Sequence, residues 1–410
     1  MSKSKNTQKK ASGLSWKKVL IILAAVVVLC GLCAGIFAIV KTVSSKNLKV
    51  AFYDVPQTVE AALTDKISRE YSGKITFTTL SPQDLNKLKA VKKNNLIFTK
   101  QGQLSNSLAD FARKVPDAAS VKLPSKFIKD NGKELPVLLD HWEIAYNRSI
   151  LSAAGLEHPL NFTQFEAAIY AMKNQVFVPL FCCGSDDSTV LAFTAALVES
   201  AGSEPAYSKL CQLLQSASAL SEVIDVNLSD TKEELTLRMV LDKIHSWQED
   251  GVLYSKWYSA KPADFTAIAG QNQIGAYFSS LSNHRTYDYS IVSGFDSDRM
   301  PVLYTNTKHG IISPSYVCLN LSDSPKYDYI LESLVDEPFQ KELSAATKLA
   351  PVSSRAQACD RQADDVRYLT AACPAGQLPD LTAACFQLDS QKKANMAQQL
   401  RDYARSGYLK

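Results

Sequence analysis

"LLDHWEIAYNRSILSAAGLEHPLNFTQFEAAIYAMKN", residues 138–174, carries an extended apolar run into Tyr146-Asn147-Arg148, then a short helix, a Pro159-Leu160-Asn161 break and a second helix. In that second helix Phe165, Ala168, Ile169 and Met172 recur at i, i+3, i+4 and i+7, the spacing of one buried face. Asn161 stands where a side-chain cap is needed. The extended run leaves one body and the two helices begin another, so the chain crosses between lobes here.

Upstream of this crossing the pattern alternates. "LKVAFYDVP" at 48–56 is β-rich, and the helix after it places Val59, Leu63, Ile67 and Tyr71 on one face before Gly73 ends it. "KITFTTLS" reads as a second strand, "SPQDLNKLKAVKK" as a helix opened by Ser-Pro, and "NNLIFTKQG" as a third strand. A βαβαβ series predicts a parallel sheet covered by helices, with ligands beyond the carboxyl ends of its strands. Those ends are Tyr53-Asp54 and Thr99-Lys100-Gln101. Neither GxGxxG nor GxxxxGK[ST] follows any of the strands, so a nucleotide would find no phosphate cradle.

At 410 residues, 46% of them apolar and 21% charged, the chain has core enough for two domains. Its net charge of +4 is unevenly spread. Six lysines (Lys3, Lys5, Lys9, Lys10, Lys17 and Lys18) fall in residues 1–18 without an acid, so the remainder carries −2. That excludes nucleic acid as a partner, because a polyanion is held by clustered positive charge.

The lysines precede "VLIILAAVVVLCGLCAGIFAIV", residues 19–40, an uncharged run long enough to cross roughly 30 Å of hydrocarbon. The positive-inside rule puts residues 1–18 in the cytoplasm and everything past residue 41 outside. The run is longer than the apolar core of a cleaved signal and lacks a small-residue exit, which predicts an uncleaved single-pass anchor. Cys30 and Cys33 keep lipid attachment open, although each follows Leu where a lipobox has a small residue.

Seven more cysteines lie beyond: Cys182, Cys183, Cys211, Cys318, Cys359, Cys373 and Cys385. They form no CxxC pair and have no His at ligand spacing, so no metal is expected. Cys359, Cys373 and Cys385 could hold one disulfide in an oxidising compartment, or remain buried thiols. The five histidines (His141, His158, His245, His284, His309) are scattered, with no HExxH, GxSxG or Cys-His signature, so no enzyme and no cofactor is expected.

From Pro136 onward, Tyr146-Asn147-Arg148, "LSAAGL", Pro159, Asn161 and Phe162 stand in the order of a known pattern. The chain resembles the family 1 extracellular solute-binding proteins of ABC importers, the group of maltose-binding protein. "FCCGSDDSTVLAFTAALVESAGS" is similar to that family's cleft loop and helix, "QNQIGAYFSS" to an inner strand, and "KHGIISPSYVCLN" to a crossover strand. "YDYILESLVDEPFQKELSAATKLAPVSSRA" is similar to the helix and turn that follow, so the likeness covers residues 48–360.

The resemblance implies an α/β, two-lobed periplasmic-binding-protein-like fold of type II with discontinuous lobes, behind the N-terminal transmembrane helix. Lobe one would take residues 48–138 and 294–346, and lobe two 139–293 and 347–410, after a cytoplasmic tail at 1–18 and a linker at 41–47. It implies a receptor that captures a small solute, by family default a sugar or oligosaccharide, and hands it to permease subunits in the membrane. By position, the ligand would meet Tyr53, Asp54, Lys100, Gln101 and Gln103 on one side. On the other it would meet Trp142, Asp186, Asp187, Ser279, His284 and Arg285, with His309 as a further cleft position. The alternative is a ligand-degenerate binding fold kept as a membrane-anchored sensor or structural component, which suits "FTKQGQ", where the sugar-binding relatives have aromatic and acidic residues.

Each of these residues also has a plainer reading. Trp142 can pack the crossing, Asp186 and Asp187 can cap the helix after them, and His284-Arg285 can sit in an exposed turn.

Overall fold

The computed structural model describes residues 47–409 apart from 86, 87, 130 and 306. The expected anchor at 19–40, with Cys30 and Cys33, lies outside the described residues. Among the described residues no helix is long and apolar enough to cross a membrane. Contacts divide the chain into a small unit, Met1–Leu48 with Gly73–Thr76, and a body, Lys49–Ser72 with Phe77–Lys410. Everything that follows about the site concerns the body.

The first sheet has strand order β2-β1-β3-β10-β4. Its members are β1 (Asn47–Tyr53), β2 (Lys74–Thr79), β3 (Leu96–Lys100), β4 (Leu135–Leu138) and β10 (Tyr316–Asn320). β1 and β3 run parallel, with Val50 opposite Leu96, as the βαβ pattern predicts. The expected wholly parallel sheet is corrected by β10, which runs antiparallel to both β3 and β4 and brings Tyr316 opposite Lys100. The helix Gln57–Glu70 turns Val59, Leu63 and Ile67 inward, all fully buried. Each contributes about 1.5–3 kcal/mol of apolar burial, so Leu63→Ala would cost about 2–5 kcal/mol.

The second sheet has order β6-β7-β5-β8, from β5 (Trp142–Asn147), β6 (Val178–Cys182), β7 (Ile274–Ser280) and β8 (Phe295–Asp298). β6 runs parallel to β7, while β5 is antiparallel to β7 and to β8. β8 lies past the boundary expected at 293/294 and pairs in the second sheet, where Ile144 to Asn147 supply its backbone partners. The opening passage forms as its pattern predicts. Asn147 Oδ1 accepts from the backbone N–H of Ser149 and Ile150 to start the helix Arg148–Ala153, and Asn161 caps Phe162–Met172. Phe165, Ala168, Ile169 and Met172 are buried beneath it.

The helix Asp187–Ser216 runs through the core of the second sheet and kinks at Ser203, whose φ of 60° and ψ of −173° are non-helical, just before Pro205. A short parallel pair, β9 (Ile311–Ser313) with β11 (Gln377–Pro379), accompanies the chain's return crossings. Leu139 bridges to Ala350 and the His141 carbonyl accepts from the Leu281 N–H, which together hold residues 139–141 between β4 and β5.

Candidate functional site

The carboxyl end of β3 and the amino end of β10 meet the amino end of β5 and the carboxyl ends of β6 and β7 around a cavity of about 320 Å³. Lys100 and Tyr316 line it from the first sheet. From the second come Trp142, Phe278, Ser279 and Ser280. Asp186, Ser188 and Thr189 add the start of the long helix, and Asp380 closes the remaining side.

Trp142 packs at the crossing, as the plainer reading has it, and also borders the cavity. It is almost fully buried and stacks on Phe278 with ring centroids 5.4 Å apart and 6° between planes. Its Nε1 donates to Asp380 Oδ2 at 3.0 Å, which fixes the indole plane. Burial raises the Asp380 pKa, with Lys100 and the Trp142 hydrogen bond pulling the other way. Lys100 is the counterpart: burial would lower its pKa, but Asp54 and Asp380 together raise it. Lys100 Nζ lies 3.1 Å from Asp54 Oδ1, and Asp54 reaches it from a backbone with φ of 54° at the end of β1. Asp54 stands behind Lys100 and does not itself line the cavity.

One step deeper, Asp140 is fully buried. Its Oδ1 accepts from the backbone N–H of His141 at 2.8 Å and of Ser282 at 3.3 Å, while Oδ2 has no partner among the described residues. Burial raises its pKa.

Asp186 Oδ2 accepts from the Thr189 N–H and hydroxyl, both at 2.8 Å, so it caps the helix as the plainer reading has it while standing at the cavity wall. Asp187 faces away and pairs with Arg401 at 2.6 Å. Arg401 also donates to the carbonyls of Gly184 and Ser185, and so staples the loop that presents Asp186.

Several expected contacts lie elsewhere, each because the chain supplies its own partner. Tyr53 is buried and its hydroxyl donates to the Gln387 carbonyl at 2.7 Å; burial, then Asp54, pushes its pKa up to about 12. Gln101 turns its amide to Glu134 at 3.0 Å, and Gln103 accepts from the Leu388 N–H at 3.1 Å. His284 is buried against Glu143 at 3.3 Å and the Tyr277 hydroxyl. Arg285 is not a cavity residue, since it binds Asp360 at 2.7 Å and the Lys348 carbonyl. His309 spends both ring nitrogens, on Glu199 at 3.0 Å and on the Tyr304 carbonyl at 2.7 Å.

Glu143 is the centre of a buried network at the crossing. Its carboxylate meets His141 at 2.7 Å, His284, the Ser297 hydroxyl at 2.9 Å and the Gln362 amide at 3.0 Å. Burial alone would raise its pKa; the two histidines overcome that and hold it at about 2.

Sequence reasoning missed Asp380, Tyr316 and Phe278. Asp380 lies past residue 360, where the family likeness stops, but Pro379-Asp380 ahead of an apolar run is a capping signal, and Asp380 Oδ1 does accept from the Ala383 N–H at 2.9 Å. The seven described cysteines are all free thiols, and the disulfide considered among Cys359, Cys373 and Cys385 is not formed. Cys373 instead accepts from Arg299, and Cys385 lies against Cys211. Among the described residues no cluster of His, Cys, Asp or Glu could hold a metal.

No family model matches the sequence, and no curated protein matches it. Solved structures do. AcbH, a bacterial solute receptor described as having an exclusive preference for β-D-galactopyranose, superposes with a TM-score of 0.69 at 13% identity, covering 88% of this chain and 95% of its own. The binding protein MsmE of Bacillus subtilis, in an open conformation, gives 0.65 at 15% identity over 89% and 97%. The sugar transporter component BL01359 of Bacillus licheniformis, in complex with stachyose, gives 0.58 at 14% over 88% and 99%. These neighbours are binding proteins and not enzymes. The chain shares the fold of the bacterial solute-binding receptors.

Proposed function

We propose that this chain is a membrane-anchored, extracytoplasmic receptor that captures a small polar solute between two hinged lobes built on the two sheets. It would deliver that solute to the permease subunits of an ABC importer. The observation that carries the reading is the shared cavity: Lys100 and Tyr316 come from one sheet, Trp142, Phe278 and Ser279 from the other. A solute touching both sides binds the closed arrangement better than the open one, and only that difference can drive closure. A sugar suits the lining. The Trp142 face takes an apolar ring face, and the Asp186 and Asp380 carboxylates take hydroxyls. AcbH and BL01359, which bind sugars, support the same class by their fold. Of the expected contacts, Lys100, Trp142, Asp186 and Ser279 are the ones we retain, with Asp54 acting through Lys100.

Residues 19–40 would be the anchor, with residues 1–18 in the cytoplasm. Trypsin added to intact spheroplasts should digest the body and spare the first 18 residues; a mature chain beginning at an acylated Cys30 or Cys33 would refute this. The receptor reading is tested by mass spectrometry of small molecules released from the purified full chain, followed by calorimetry on wild type and Trp142→Ala. Losing the stacking face should weaken binding by about tenfold or more. Undiminished affinity in a folded Trp142→Ala protein would remove the cavity from consideration.

The second reading, a ligand-degenerate fold serving as sensor or structural component, draws on Tyr53, Gln101 and Gln103, whose polar groups are already taken by the chain itself. A full chain that releases no small molecule and binds none would favour it.

A further inference from the structure

The chain lays its own C-terminal segment over the strand ends of the first sheet. After β11, Asp380 starts a tight turn with a π-type stretch, Thr382–Phe386, and the chain then passes directly across residues 99–104. Gln387 is the fastening. Its carbonyl accepts from the Tyr53 hydroxyl at 2.7 Å, its Oε1 from the Leu104 N–H at 3.0 Å, and its Nε2 donates to Thr99 Oγ1 at 3.0 Å. The next residue donates its N–H to Gln103.

Gly102 shows how close the approach is. A Cβ on Gly102 would lie 2.2 Å from the Ala383 carbonyl oxygen, a distance no real Cβ contact shows, so a residue without a side chain is required there. The other side of the segment is tied to the long helix of the second sheet. The Gln215 amide donates to the Ala384 carbonyl at 2.9 Å, and the Cys385 thiol lies 3.5 Å from the Cys211 carbonyl.

In a parallel αβ sheet the ground beyond the strand carboxyl ends is where a ligand sits. Here residues 381–388 fill it over Tyr53 and Gly102, and Asp380, at the root of the segment, is the cavity wall on that side. The space that remains, about 320 Å³, is at the bottom of the roughly 300–1,000 Å³ range of small-molecule sites.

We propose that residues 381–388 are a specificity element: they occupy the part of the site a longer chain of sugar rings would need, and confine the solute to one about the size of a single ring. This inference rests on the receptor reading given above and narrows it. It also separates this chain from BL01359, which holds the tetrasaccharide stachyose.

The test uses the purified full chain and isothermal calorimetry with D-galactose, D-glucose and D-mannose on one hand and stachyose on the other. In wild type, one monosaccharide should bind about tenfold or more tightly than stachyose. Gly102→Ala, which drives the segment off its seat, should narrow that ratio, and Gln387→Ala should do so should the first variant fail to fold, as judged by its thermal melt. Stachyose binding as well as or better than every monosaccharide in wild type overturns the size limit and leaves the receptor reading standing. An unchanged ratio in a folded variant overturns the role of the segment. Absence of binding to all four sugars overturns the sugar-receptor reading and this inference with it.

Discussion

Glu143→Gln should destabilise the protein most between about pH 4.5 and 6.5, and progressively less on either side. Glu143 is fully buried and faces His141 from the segment just before its own strand, His284 from the turn after β7 with the Tyr277 hydroxyl of β7 against that imidazole, Ser297 from β8, and Gln362 from the helix Arg361–Ala372. Asp140, Asp298 and Asp365 are the further charged groups that act on His141 or feel it. The Glu143 pKa falls from 4.5 to about 2 in the folded protein, the histidine hydrogen bonds outweighing burial. At about 1.4 kcal/mol per unit this is worth about 3 kcal/mol. That stabilisation is present above pH 4.5 and is lost as pH falls toward 2. His141 moves the other way: burial would lower its pKa, but Glu143 raises it above 6.5. Its share is complete below pH 6.5 and is lost as pH rises through the raised value. With an unfolding entropy of about 2.1 cal/mol/K per residue over the body, 3 kcal/mol corresponds to about 4 °C in Tm. Calorimetric melts of wild type and Glu143→Gln from pH 3 to 8 supply the difference curve, in which the other carboxylates cancel. A difference that stays flat across that range would refute the charge assignment and reduce the network to packing.

Two further outcomes follow from single residues. Arg401→Ala removes the donor to Gly184, Ser185 and Asp187, so it should cost about 1.5–3 kcal/mol in denaturant melts and weaken solute binding through the Asp186 loop; Arg401→Lys with full affinity would show that charge alone positions the loop. Ser203 sits at φ 60°, ψ −173°, a region essentially reserved for glycine, so Ser203→Gly should raise stability by about 1 kcal/mol, and a lower Tm would mean that its hydroxyl contact to the Gly202 carbonyl outweighs the strain.

The sequence carried the elements of both sheets because their signals are local. Period-3.6 burial at Val59, Leu63 and Ile67 and the caps at Asn147 and Asn161 are read within one turn of helix. Strand direction is set by partners far away in the chain. The antiparallel entry of β10 beside β3, and the transfer of β8 to the second sheet, depend on crossings of more than 100 residues that no local periodicity records. Of the helix expected through residues 81–93, Pro82–Leu85 and Leu88–Val91 are helical, and residues 86 and 87 lie outside the described residues.

The site divides along a physical line. Lys100, Trp142 and Ser279 line the cavity because a residue at a strand end is placed by the sheet itself, and the sheet was legible. Asp186 was reached through the capping signal at the helix that follows β6. His284, Arg285 and His309 were assigned by order along the chain, and each is engaged by a partner that sequence proximity could not supply: Glu143 across two strands, Asp360 from a later helix start, Glu199 from the middle of the long helix. A buried imidazole or guanidinium must be paired to be tolerated at all, so a histidine in a chain rich in buried carboxylates is claimed by one of them before any solute arrives. The same rule singles out a buried acid that the fold does not fully pair. Asp140 keeps a buried carboxylate oxygen without a partner among the described residues, held behind Ser282 at the cavity wall, and it is the acid least accounted for by the fold alone. If that oxygen serves packing only, Asp140→Asn should leave solute affinity unchanged in calorimetry; a loss of about tenfold or more with an unaltered melt would assign Asp140 to the site.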